Sequence, residues 1–293
     1  MAILSLILLL PAADADDTLA KKMLPIYVKE VEAYSLAVES ASKKELELKK
    51  EPIFEWLNPA RGRGAQQGAV FLWLREGRPA ALACIFSSQH ERLPGRRINH
   101  ELHALDAEKL LVKRDGYNQW KPKAGFGRAE LPDAGAPAAA PGARLLQMRR
   151  LAKEFSGYSI DRDGQRWELR LLPTPLYRYP AAKAGVVDGA LFALMSSAGA
   201  DPEVLLLIEA KETGGKLCWE YACGRFSDFE LRVERKGKEV FSSVPSEKNP
   251  FAHDPLHLYR IYPEKVVTPE GKLIARLRQP TNEGEEIIPV EDK

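Results

Sequence analysis

The sequence predicts an α+β protein of two lobes, each an amphipathic helix followed by an antiparallel β-sheet. Two stretches place apolar residues at helical spacing, and each is followed by short alternating or continuously apolar runs separated by turn residues. An aperiodic Ala/Pro/Gly stretch at 129–143 separates the two sets. With 45% hydrophobic and 29% charged residues in 293, the chain has the makings of a substantial core.

Residues 3–10 read ILSLILLL, followed by small residues at Ala13 and Ala15 and the acidic Asp14, Asp16 and Asp17. This is the apolar core and cleavage site of a signal peptide, far short of the roughly 20 residues of a membrane span. The expectation is export to the periplasm or cell envelope after cleavage near Ala15, with no transmembrane segment. The domain reading is 1–15 signal peptide, 16–128 first lobe, 129–143 linker, 144–245 second lobe and 246–293 an extended polar tail.

In the first lobe, Tyr27, Val31, Tyr34, Val38 and Ala41 form one apolar stripe and predict a helix over 26–43. Residues 69–75 and 80–87 flank the turn Glu76-Gly77-Arg78-Pro79 as a hairpin. Both runs are apolar on both faces, which predicts central strands. Residues 98–105 and 110–113 continue as strands. In the second lobe, Leu145, Met148, Ala152 and Phe155 predict a helix over 144–155, its outer face made basic by Arg144, Arg149, Arg150 and Lys153. Six strands then form a meander, with Lys236-Gly237 as one of its tight turns.

Lys plus Arg number 43 against 41 acidic residues, so the chain has no strong field to gather nucleic acid. No phosphate loop, dinucleotide fingerprint, nucleophile elbow or zinc-protease motif occurs, so no cofactor or metal site is expected. Cys218 and Cys223, five apart in a strand, face opposite sides about 16 Å apart at ~3.3 Å per residue and do not bridge. A bond from Cys84 to either remains open.

The densest titratable cluster is Asn99-His100-Glu101-Leu102-His103. In a strand the two histidines point to opposite faces and bind no common ion. Glu101 and His103 share a face, and a carboxylate that orients an imidazole makes a general base. The alternative is a hydrogen bond on a half-buried sheet. Pro173 and Pro175 stiffen the segment that carries Tyr177, Arg178 and Tyr179. Its aromatic pair either lines a binding groove or covers a sheet edge. Glu209 ends an apolar run and needs a partner, for which Arg170 or Arg225 is available.

The segments ELRLLPTPLYRY, DGALFAL and DPEVLLLIEA, with LNPARG, GAVFLWLREGRPAALACIF and RLLQMRRLAKEF before them, resemble a family of exported planctomycete-type bacterial proteins of unknown function. The resemblance spans about residues 50–245 and implies export and a two-part chain. It assigns no activity. The resulting expectation is a non-catalytic exported module that binds a protein or envelope component. The rival is a hydrolase using His103 and Glu101 in a cleft between the lobes.

Overall fold

The computed structural model describes residues 12–58, 66–180, 185–197, 199–245, 254–279 and 284–290. The apolar run at 3–10 lies outside them. Helix α1 (Ala12–Glu32) buries Met23, Tyr27 and Val31, spaced one turn apart. It stops sooner than the stripe predicts. Tyr34, Leu36 and Val38 are buried from extended backbone, because residues 34–38 also alternate and β1 (Ser35–Val38) pairs with β6 (Leu110–Lys113).

The first large sheet begins as a meander of β2 (Glu47–Asn58), β3 (Gln66–Arg75), β4 (Arg78–Gln89) and β5 (Arg96–Ala104). Glu76 and Gly77 take φ of 51° and 85°, and Lys236 and Gly237 take 51° and 75°. Two consecutive left-handed residues let a two-residue turn follow the strand twist, so both turns sit where the sequence places them.

The expected extended tail is corrected here. Strands β16 (Tyr259–Val267), β17 (Leu273–Arg278) and β18 (Glu286–Pro289) join this sheet, β16 pairing antiparallel with β5. The segment looks polar because Arg260, Glu264, Lys265 and Arg276 interrupt it. Tyr259, Tyr262, Val266 and Leu277 are nevertheless buried. The sheet order is β18-β17-β16-β5-β4-β3-β2.

Residues 129–143 are more structured than a free linker. They form the short strand β7 (Ala129–Glu130) and bury Leu131 and Ala134. Helix α2 (Pro141–Ala152) starts at proline, whose missing N–H costs nothing in a first turn. Arg144 is not on a solvated basic face. It is buried and donates to Asp188 at 3.0 Å and to the carbonyls of Ala138 and Ala139.

The second large sheet contains β8 (Phe155–Ile160), β9 (Arg166–Leu171), β10 (Tyr177–Arg178), β11 (Val186–Ser196), β12 (Pro202–Thr213), β13 (Lys216–Arg225), β14 (Glu230–Arg235) and β15 (Lys238–Ser243). Its order is β15-β14-β8-β9-β11-β12-β13-β7, with β10 on the β11 edge beyond β9. Pro173 and Pro175 break β9 from β10, so two short strands share one neighbour.

Four layers result: α1, first sheet, second sheet, α2. Phe71, Trp73, Ala83 and Ile98 pack under α1. Phe192, Leu206 and Ile208 pack under Met148 and Leu151 of α2. Between the sheets lie Leu72, Leu82 and Cys84 from one side and Leu191, Leu205 and Leu207 from the other. Strands β3, β4 and β12 therefore bury both faces, as their continuous apolar runs require. The mixed α+β class and antiparallel sheets agree with the sequence reading. No helix among the described residues is long and apolar enough to cross a membrane.

Candidate functional site

Alternation along β5 directs His100 toward α1 and sends Glu101 and His103 into the space between the sheets. The two share a face, as the sequence predicts, but the structure does not join them. His103 donates from Nδ1 to the Ala104 carbonyl at 2.7 Å and meets Phe126 edge-on. Gly224 of β13 leaves room for the ring, since a Cβ there would lie 3.2 Å from it. Burial lowers the His103 pKa to about 3, so the ring is neutral at physiological pH. Glu101 turns to another partner, accepting from the Tyr259 hydroxyl at 2.7 Å. Along-strand neighbours on one face stand about 6.6 Å apart, and each finds a nearer group.

Glu101 lines a cleft of about 790 Å³ at one end of the space between the sheets; His103 does not. Strands β4, β5 and β16 contribute Phe86, Ser88, Glu101 and Ile261. Across from them stand Trp167, Asp201, Phe226 and Phe229. The side chains come from strand ends and turns carried on a rigid double sheet, a common arrangement for binding sites.

The cleft is acidic. Glu101, Asp161, Asp163, Asp201, Asp228 and Glu285 line it, against Arg97 and Arg162. Both guanidiniums already face carboxylates: Arg162 bonds Asp228, and Arg97 approaches Glu285 at 3.3 Å. Asp161 caps its own turn, accepting from the backbone N–H groups of Asp163 and Gln165 and from Trp167 Nε1 at 2.8 Å. Asp201 accepts from Asn58 Nδ2 at 2.5 Å, and Asn58 accepts in turn from Ala200 N–H. That exchange ties the β11–β12 turn to the end of β2.

Two polar groups in the lining are nearly sealed from water. Ser88 is 1% exposed, and its hydroxyl has no hydrogen-bond partner among the described residues. Glu101 is 8% exposed. Burial pushes its carboxyl well above the usual carboxylate range. Asp201, Asp228 and Glu203 add to that push, and the Tyr259 hydrogen bond opposes it.

Tyr177, Arg178 and Tyr179 lie away from this cleft. The two rings stack at 6.1 Å, with Lys49 over Tyr177. Arg178 binds Asp188 at 2.8 Å. Tyr179 is buried and donates to Glu209 at 2.9 Å. Glu209 finds Arg78 and Arg128 rather than Arg170 or Arg225. Arg225 instead reaches the carbonyls of Ser227, Phe229 and Ser243. All three cysteines are free, which settles the question left open for Cys84.

The sequence reading missed Asp161, Asp163, Asp201 and Asp228. Each stands in a turn sequence (DRDG, GADP, FSDF), where aspartate is expected for turn geometry alone. A usable signal was that these turns recur at strand ends that a meander brings to one edge. Comparisons with protein-family models, curated proteins and solved structures return no match. The site is therefore read from its own geometry.

Proposed function

We propose that the protein is an exported, non-catalytic binding module of the cell envelope that holds an envelope component or partner protein by a group seated in the cleft between the two sheets. In this reading each helix-and-sheet half acts as a lobe, and the cleft is the edge at which they meet. One observation carries it: the nearly buried polar side chains Ser88 and Glu101 belong to the cleft wall, while the imidazole a general base would use lies outside it, turned to a backbone carbonyl. The hydrolase reading requires His103 to leave Ala104 and reach Glu101. Export rests on the 3–10 apolar run, the Ala13 and Ala15 junction and the family resemblance. Cleavage after Ala15 leaves the helix turns that carry Met23, Tyr27 and Val31 intact.

Trp56 and Trp167 line the cleft and serve as reporters. Fractionated envelope extract added to the mature protein should change their emission. Ser88→Phe, which fills the cleft, should abolish the change without altering far-UV circular dichroism. An equal response from both proteins would refute the assignment of the cleft.

A further inference from the structure

We propose that the cleft selects an organic cation, a ligand bearing a primary amine or guanidinium group. The inference rests on the proposed binding role and names the class of group bound. Its first support is charge: five carboxylates, besides the buried Glu101 carboxyl, line the cleft against two guanidiniums, in a chain whose net charge is +2. The acidity is local, and both guanidiniums are already engaged by carboxylates. A neutral ligand would remove water from this excess of negative charge without replacing it.

The second support is independent of the acidic count. The Ser88 hydroxyl is buried, unpartnered among the described residues and part of the cleft wall. Among the described residues Glu101 makes one side-chain hydrogen bond, to Tyr259, and a cation beside its second oxygen would favour the ionised form that accepts. Both can accept from a cation and are held at fixed strand positions. An ammonium or guanidinium group supplies three to five N–H donors to such a pair.

The third support is aromatic. Trp56, Trp167 and Phe229 face the same space, and ring faces attract a cation within about 6 Å of the centroid. A metal ion fits less well, because no three His, Cys, Asp or Glu side chains converge on one point among the described residues. The volume of about 790 Å³ suits a small molecule or one extended side chain.

The test is calorimetric titration of the mature full chain with four probes and a control. Two are cations: spermidine, and an arginine-containing tripeptide amide. Two are their neutral counterparts: triacetylspermidine, and the peptide with citrulline for arginine. Maltotriose is the neutral sugar control. The cations should bind and the neutral probes should not, with affinity falling as salt rises. Spermidine against the tripeptide distinguishes a free polyamine from a basic side chain as the natural group.

The double variant Asp163→Asn, Asp228→Asn should weaken cation binding by about tenfold, two partly exposed charge contacts being removed together. Both positions lie at turns, so the fold should persist. Binding of a neutral probe as tight as its cation would overturn the cation assignment and leave the cleft as a binding site. Cation binding unchanged in the double variant would overturn it too. Binding of no probe, alongside an extract response lost in Ser88→Phe, would refute the cation class while sparing the binding role.

Discussion

Replacing Glu209 tests how the two sheets are held together. Glu209 sits on β12, 1% exposed, at the face turned to the first sheet. Arg78 approaches both its oxygens from the start of β4, Arg128 reaches it at 2.8 Å, and Tyr179 donates to it at 2.9 Å. One carboxylate therefore ties both sheets and the segment before β7. Removing one partner from a buried ion pair strands the other charges and costs about 3–5 kcal/mol. Glutamine keeps one acceptor, so Glu209→Gln should fall near 3 kcal/mol in urea denaturation at pH 7.

The sign with pH follows from the same groups. Burial raises the Glu209 carboxyl, but Arg78, Arg128 and Tyr179 more than reverse this and hold it below its ordinary value. Its contribution is present above the unfolded carboxyl pKa of about 4.3 and is lost as pH falls through the folded value. The variant should thus be less stable than the parent at pH 7 and converge on it in acid. The triple variant Glu209→Leu, Arg78→Met, Arg128→Met should recover much of the loss, since it leaves no stranded charge. A Glu209→Gln cost under about 1 kcal/mol at pH 7, or one that grows in acid, would refute the clamp.

Other consequences can be measured separately. Truncation before residue 254 removes the buried Tyr259, Tyr262, Val266 and Leu277. At roughly 1.5–3 kcal/mol each, this matches the whole stability of a domain, so cooperative unfolding should vanish; a sharp transition would refute the placement of β16. His103→Gln should cost about 0.5–1.5 kcal/mol at pH 7 and leave cleft binding unchanged. Because the folded imidazole titrates at about 3, the parent loses stability as pH falls from about 6.5 toward that value, and the variant should lose less. Burial raises Cys84 well above the ordinary thiol range and Cys223 to about 12, so Cys218 should react first with Ellman's reagent in native protein; equal rates would count against this. Protein recovered from its native host should begin at Asp16, and an intact Met1 would refute cleavage there.

Much of the fold was legible because burial on one or two faces leaves a period in the sequence. Residues 98–105 alternate, and the structure splits them as the period requires, with His100 under α1 and His103 between the sheets. The unbroken runs of β3 and β4 correctly imply two covered faces, yet nothing in them says that a second sheet is the cover. The C-terminal strands escaped notice because Arg260 and Lys265 accompany buried tyrosines on β16. Arg144 was misplaced because a charge on an amphipathic helix is ordinarily solvated, and its partner Asp188 stands 44 residues away. The candidate site was the least legible part. Glu101 was found because it stands beside histidines in a clear strand, whereas the cleft aspartates were indistinguishable from turn formers.

The two ends of the space between the sheets are chemically different, and the difference gives the cleft its character. Strand β4 runs from Arg78 to Ser88 and on to Gln89, while the chain entering β12 runs from Asp201 to Glu209. Arg78 and Glu209 meet at one end, and Ser88 and Asp201 line the cleft at the other. At the first end one carboxylate is enclosed by two guanidiniums and a phenol, and every partner of the buried charge is in place. In the middle Leu82, Cys84, Leu205 and Leu207 close the gap with apolar surface. At the second end the sheets remain apart, carboxylates outnumber cations, and a serine hydroxyl is left without a partner among the described residues. Unmatched polar groups are costly wherever water is kept out, so a fold accommodates them where solvent or a ligand can enter. The clamp and the cleft are thus complementary: an enclosed ion cluster holds one end of the sandwich shut, and the open acidic end is the surface on which the proposed cation would sit.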